Sequence, residues 1–184
     1  MPIYNNYNLV SNSGVVATDT TGVGTARDYL AACEYGIDKA IFGYGNVSAT
    51  VYSMTNLVSN VGVVATDVTG VGTARAGSAA CTYAYDKGIF AYGADADSDP
   101  PSSAVSMSNL VSNSGVVSTD VTGVGTARWE VQATQYGEDK GIFAYGNTGS
   151  VSSLSNLVSN VGVVATDVTG VGTARKRLAA CSYG

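Results

Sequence analysis

The chain has no histidine, and only 12% of its residues are charged. Without an imidazole, neither a Ser–His–Asp nor a Cys–His nucleophile can be assembled, and the common zinc sets lose a ligand. Nine Lys and Arg face fourteen Asp and Glu, for a net charge of −5. That balance leaves no basic stripe to neutralise phosphates, which argues against nucleic acid or a membrane surface as a partner. No apolar run approaches the ~20 residues that span a bilayer. The opening MPIYNNYN lacks the charged and apolar regions of a signal peptide. Three cysteines are too few, and odd in number, for a disulfide framework.

What is abundant is Gly, Val, Thr, Ser and Tyr, the palette of short strands and tight turns. These residues come in a sentence spelled four times. Residues 8–27 read NLVSNSGVVATDTTGVGTAR, and near-copies occupy 56–75, 109–128 and 156–175. The closing arginines, Arg27, Arg75, Arg128 and Arg175, set repeat lengths of 48, 53 and 47. After each arginine comes an apolar segment, then a DK-x-IF-x-YG segment, then a third that runs into the next NLVSN, then GVVATDVTGVGTAR. Each is short, β-branched or aromatic, and bounded by Gly, Asn or Asp, and none carries a helical period. Four short strands in about 48 residues match one blade of a β-propeller. Residues 1–184 are therefore expected to form a single all-β domain, a small propeller of four repeats.

The pattern of arginine, small apolar strand, Tyr-Gly turn, DK-x-IF-x-YG and return to arginine resembles a kelch-type blade. The strand that ends in a glycine pair in kelch repeats corresponds to Asp38–Gly45, Asp86–Gly93 and Asp139–Gly146, which end in Gly-Tyr-Gly or Ala-Tyr-Gly. The kelch tryptophan of the last strand is absent. The resemblance implies blades around a central axis, with the arginine preceding the innermost strand. The repeated phrase also resembles repeats of environmental and phage-encoded structural proteins, which would fit a virion or extracellular setting. In a ring of four, the last blade would be closed by pairing IYNNYNLVSN with LAACSYG. That blade lacks a DK-x-IF-x-YG strand, so the protein would be a monomer with a three-stranded blade, or would associate through the incomplete one.

Because the copies align, each position has internal replicas. The 20-residue phrase varies at three positions, whereas the triplet after each arginine is a different one in every copy: Asp28-Tyr29-Leu30, Ala76-Gly77-Ser78, Trp129-Glu130-Val131 and Lys176-Arg177-Leu178. In the propeller these windows open the innermost strands and converge on one face. They hold the only Trp, both signs of charge, a phenol and hydroxyls, and aromatic and Arg residues are common anchors of recognition. The expected ligand-binding residues are Asp28, Tyr29, Leu30, Ser78, Trp129, Glu130, Val131, Lys176 and Arg177, and the expected partner is a glycan or a protein. Two bland readings compete: surface drift, and symmetry-breaking that fixes blade order. A constant frame with divergent windows is also the layout of an engineered binder library.

The remaining motifs have plainer readings. Cys33, Cys81 and Cys181 fall six residues after their arginines, with Thr134 at the fourth site, and read as small, buried, inner-strand residues. The insert 94–104 alternates Asp95, Asp97 and Asp99 like the start of a calcium loop, but the glycine and distal glutamate are lacking, so it reads as a solvated loop. The TD-x-TG-x-G segments read as Asx-turns, and the constant glycines 22 and 24 with their copies as turn residues of positive φ. The constant arginines are expected to bond between blades, and the DK pairs to cap turns or bridge blades. No cofactor is implied and no enzyme is expected. A structural assembly component is the second reading, and a glycoside-acting enzyme using Asp28 and Glu130 a weaker third.

Overall fold

A computed structural model describes residues 3–96 and 103–182. The described residues form strands, turns and loops, with no helix. The strands are β1 (Ala31–Tyr35), β2 (Lys39–Gly43), β3 (Asn46–Val47), β4 (Thr50–Val51), β5 (Thr55–Val58), β6 (Ala79–Tyr83), β7 (Lys87–Ala91), β8 (Ser108–Val111), β9 (Gln132–Tyr136), β10 (Lys140–Ala144) and β11 (Ser155–Val158). Four small antiparallel sheets result: β1-β2-β5, β6-β7-β8, β9-β10-β11 and the two-stranded β3-β4.

The three larger sheets share one register. Ile41 pairs with Cys33 and Leu57, Ile89 with Cys81 and Leu110, and Ile142 with Thr134 and Leu157. Beyond each NLV strand the chain turns at Ser-Asn and comes back in isolated bridges rather than a ladder. Thr55 and Val58 bridge Val68 and Val64, and Tyr7 and Val10 likewise bridge Thr20 and Val16. The return strand expected from GVVATDVTGVGTAR is thus reduced to two bridges. The third expected segment is also divided, into β4 and β5. The DK-x-IF-x-YG strand stops one residue before its tyrosine, because Tyr44, Tyr92 and Tyr145 adopt φ of +64°, +63° and +63° and leave the extended region.

The core lies between successive sheets. One cluster joins Cys33, Tyr35, Ile41 and Tyr44 of the first repeat to Phe90 and Val111 of the second. The other joins Cys81, Tyr83, Ile89 and Tyr92 to Phe143 and Val158. Contact between β1 and β6, and between β6 and β9, follows from this stacking. The middle sheet is covered on both faces, whereas β9 is half-buried from Gln132 to Gln135 and exposed at Tyr136.

Each sheet interface is tied by the repeated phrase. Arg75 Nη2 donates to Asn109 Oδ1 of the following copy at 2.7 Å, Arg128 Nη2 to Asn156 Oδ1 at 2.5 Å, and Arg27 to Asn56. Asp67, Asp120 and Asp167 each reach back to the preceding copy, accepting from the backbone N–H and hydroxyl of Thr25, Thr73 and Thr126. These three TD-x-TG-x-G aspartates are therefore clasps between repeats, not self-contained Asx-turns, whereas Asp19 accepts from Asn8 of its own copy. The DK aspartates act within one repeat, tying their turn to its Ser-Asn turn: Asp38, Asp86 and Asp139 accept from Asn60, Asn113 and Asn160.

The two glycines of G-x-G differ. Gly24, Gly72 and Gly125 have φ of +82°, +74° and +76°, as a turn requires. Gly70 does not, but a Cβ there would lie 2.1 Å from Ser53 Oγ, so close approach is what demands glycine.

Candidate functional site

The four divergent windows meet. Tyr29 and Leu30, Gly77 and Ser78, Glu130 to Gln132, and Arg177 and Leu178 line one open cavity of about 280 Å³. The second residue of every window is left-handed, with φ of +52° at Tyr29, +61° at Gly77, +54° at Glu130 and +57° at Arg177. This shared backbone makes a chain of bonds from copy to copy. Gly77 N–H donates to Tyr29 O at 3.0 Å, Glu130 N–H to Gly77 O at 2.8 Å, and Arg177 N–H to Glu130 O at 3.5 Å. The most variable side chains thus hang from a constant backbone. Further along the same segments, Ala32–Glu34, Ala80–Thr82, Thr134, Gln135, Cys181 and Ser182 line a second cavity of about 250 Å³.

Six of the nine expected ligand residues line the first cavity: Tyr29, Leu30, Ser78, Glu130, Val131 and Arg177. Tyr29 is exposed at its rim, and the buried Ser78 Oγ has no hydrogen-bond partner within the protein. The Glu130 carboxylate is buried between two cations of the next window, Arg177 and Lys176, the latter at 3.1 Å from Oε2. Buried charges need such partners.

Asp28, Trp129 and Lys176 do not line it. Asp28 and Trp129 instead pair through their backbones with Asn46 and Asn147. Trp129 is buried rather than presented as an anchor, and Lys176 Nζ lies 4.9 Å from its ring centroid. Val131 reaches the cavity wall from the apolar core. Gly77, Gln132 and Leu178 complete the wall. Gly77 and Leu178 belong to the divergent triplets, whereas Gln132 gave no signal.

Cys33 and Cys81 are buried in the sheet interfaces, and burial pushes the Cys33 thiol up to about 12 and raises Cys81 likewise. Cys181 departs from the buried inner-strand expectation. It is exposed, because residues 176–182 form no strand and no further sheet lies against them among the described residues. Of the calcium-like alternation, Asp97 and Asp99 lie outside the described residues. Among the described residues, no cluster of Cys, Asp or Glu could hold a metal ion.

The invariant tyrosines form a second type of site. The Arg75 guanidinium lies 4.0 Å from the Tyr44 ring centroid, Arg128 4.7 Å from that of Tyr92, and Arg175 4.1 Å from that of Tyr145. The phenols donate to the carbonyls of Val71, Val124 and Val171. Phe90 and Phe143 of the following repeats stand edge-on to Tyr44 and Tyr92, with centroids 5.1 and 5.5 Å apart. Arg27 and its neighbours repeat this arrangement without the tyrosine. Arg27, Val23, Phe42 and Leu30 line a cleft of about 250 Å³ with Tyr4–Tyr7, Thr25, Asn56 and Val64.

No family model and no curated relative matches this chain.

Proposed function

We propose that the protein is a non-catalytic recognition module, a small propeller of kelch-like repeats that binds one sugar unit of a glycan in the cavity of the four windows. The observation that carries this reading is the convergence of four equivalent, divergent segments on one cavity. A row of surface loops free to drift would not share one. Their arrival together again at the cavity of the inner segments supports a common axis, as a propeller would have. The volume of about 280 Å³ sits at the small end of ligand sites and suits a single ring. The lining suits hydroxyls: an exposed phenol face on Tyr29, an unpartnered Ser78 hydroxyl, and a carboxylate already fixed by two cations. Left-handed backbone at Tyr29, Glu130 and Arg177 adds to this. Non-glycine residues held there cost stability, and such strain gathers at functional sites.

The enzymatic reading is less well supported, since Asp28 does not line the cavity that holds Glu130. A glycan array tests the proposal, paired with a variant in which all windows become Ala-Gly-Ser. We expect a restricted set of glycans to bind the parent and to lose at least tenfold in affinity on the variant. A blank array, or equal binding by both proteins, would remove the reading.

A further inference from the structure

We propose that the cleft at Arg27 is a receptor for an added β-strand of the type I-F-x-Y-G, which none of the described residues supplies. This site differs from the four-window cavity and does not depend on what that cavity binds.

The repeats state the chemistry of the occupant. At three interfaces an arginine, a valine carbonyl and, in two of them, a phenylalanine edge hold one tyrosine of a Tyr-Gly pair. The fourth set, Arg27, Val23 and Phe42, faces the cleft, and among the described residues no tyrosine ring covers Arg27. Phe90 and Phe143 are fully buried, while Phe42 is only half-buried. An aromatic ring between Arg27 and Phe42 would remove that difference.

The backbone asks for the same occupant. β5 pairs on one side with β2, as Phe42 with Asn56 and Gly43 with Thr55, and on the other with the returning bridges. Tyr7–Val10, the copy of β5, is bridged on the returning side by Val16 and Thr20, and no strand of the described residues pairs with its other edge. Leu9 and Val10 are consequently exposed, whereas Val111 and Val158 at the position of Val10 are fully buried. In the complete repeats, Tyr44 N–H donates to Met54 O, and Gly45 N–H to Arg75 O. The corresponding acceptors for an incoming Tyr-Gly are the carbonyls of Asn6 and Arg27. Strand addition at an open edge supplies main-chain bonds, and a side-chain pocket supplies selectivity. Ordered apolar edges of this kind are also what sheets normally keep covered. A second copy is a poor donor, because its own tyrosine strands are central in their sheets.

The test uses a labelled peptide with the sequence of residues 138–147, EDKGIFAYGN, titrated into the whole chain by fluorescence anisotropy. We expect saturable binding, weakened about tenfold or more when the peptide tyrosine is replaced by alanine, since both the cation–π contact and the phenol bond are lost. A scrambled peptide should not bind. Phe42→Ala in the protein should weaken binding further, with circular dichroism confirming that the variant folds. If that variant fails to fold, the alanine peptide on the parent chain still decides. Absence of binding, equal binding by the alanine peptide, or a stable dimer of the chain alone that excludes the peptide would each overturn the proposal.

Discussion

Tyr29, Glu130 and Arg177 show how a position can be free in side chain and fixed in backbone. All share the left-handed conformation of Gly77, so glycine is the residue the backbone prefers. Tyr29→Gly should therefore raise stability by up to about 1 kcal/mol, read as a higher urea midpoint, while weakening the proposed glycan binding. A fall in stability would mean that the Tyr29 ring contributes more by packing than its backbone costs. Thiol chemistry gives a second prediction at this scale. Native protein should titrate one thiol with Ellman's reagent, Cys181, and all three only after denaturation, because Cys33 and Cys81 are buried with raised pKa values. Carboxylates give a third. Burial works to raise Asp67, Asp120 and Asp167, but the summed hydrogen bonds from Asn56 and Thr25, Asn109 and Thr73, and Thr126 and Asn156 hold all three below the ordinary value. A folded pKa below the unfolded one stabilises above the unfolded value, about 3.9, and that stability disappears as pH falls through the folded value. Thermal midpoints should be level near neutrality and drop below about pH 4, and Asp120→Asn should flatten the acid limb.

At the scale of the element, the middle strand is chosen by its neighbour. A Cβ on Gly88 would lie 2.6 Å from Cys33 Sγ, and one on Gly141 2.5 Å from Cys81 Sγ. Gly88→Ala should therefore cost about 1–3 kcal/mol as an overpacked contact. Adding Cys33→Ala should restore most of it, and a double-mutant cycle measured by urea unfolding would show the coupling. At the same position the first repeat carries Ala40, which is half-buried. The strands themselves were legible in the sequence. Alternating apolar residues between Gly and Asp markers located β1, β2 and their copies to within a few residues. The returning segments were less so, because Asp67, Asp120 and Asp167 spend their hydrogen bonds on the preceding copy's threonine, forty or more residues away. Local reading assigns such a side chain to its own turn.

For the whole molecule, the repeat length and the identity of the copies determined by themselves that the chain is all-β, built of equivalent short-stranded units, with variation concentrated in the residues after each arginine. Period-2 patterning and turn residues act over a few positions, so they are written in the order of the chain. The tertiary structure alone decided which variable residues face a cavity and which do not. Trp129, conspicuous as the only indole, is buried beneath Lys176 of the next copy, while Tyr29 remains exposed. It also decided that Arg27 faces a cleft while Arg75, Arg128 and Arg175 each hold a tyrosine. The physical reason is the same in each case. Burial and pairing here arise between units some 47 to 53 residues apart, and no local pattern records which neighbour a side chain will meet.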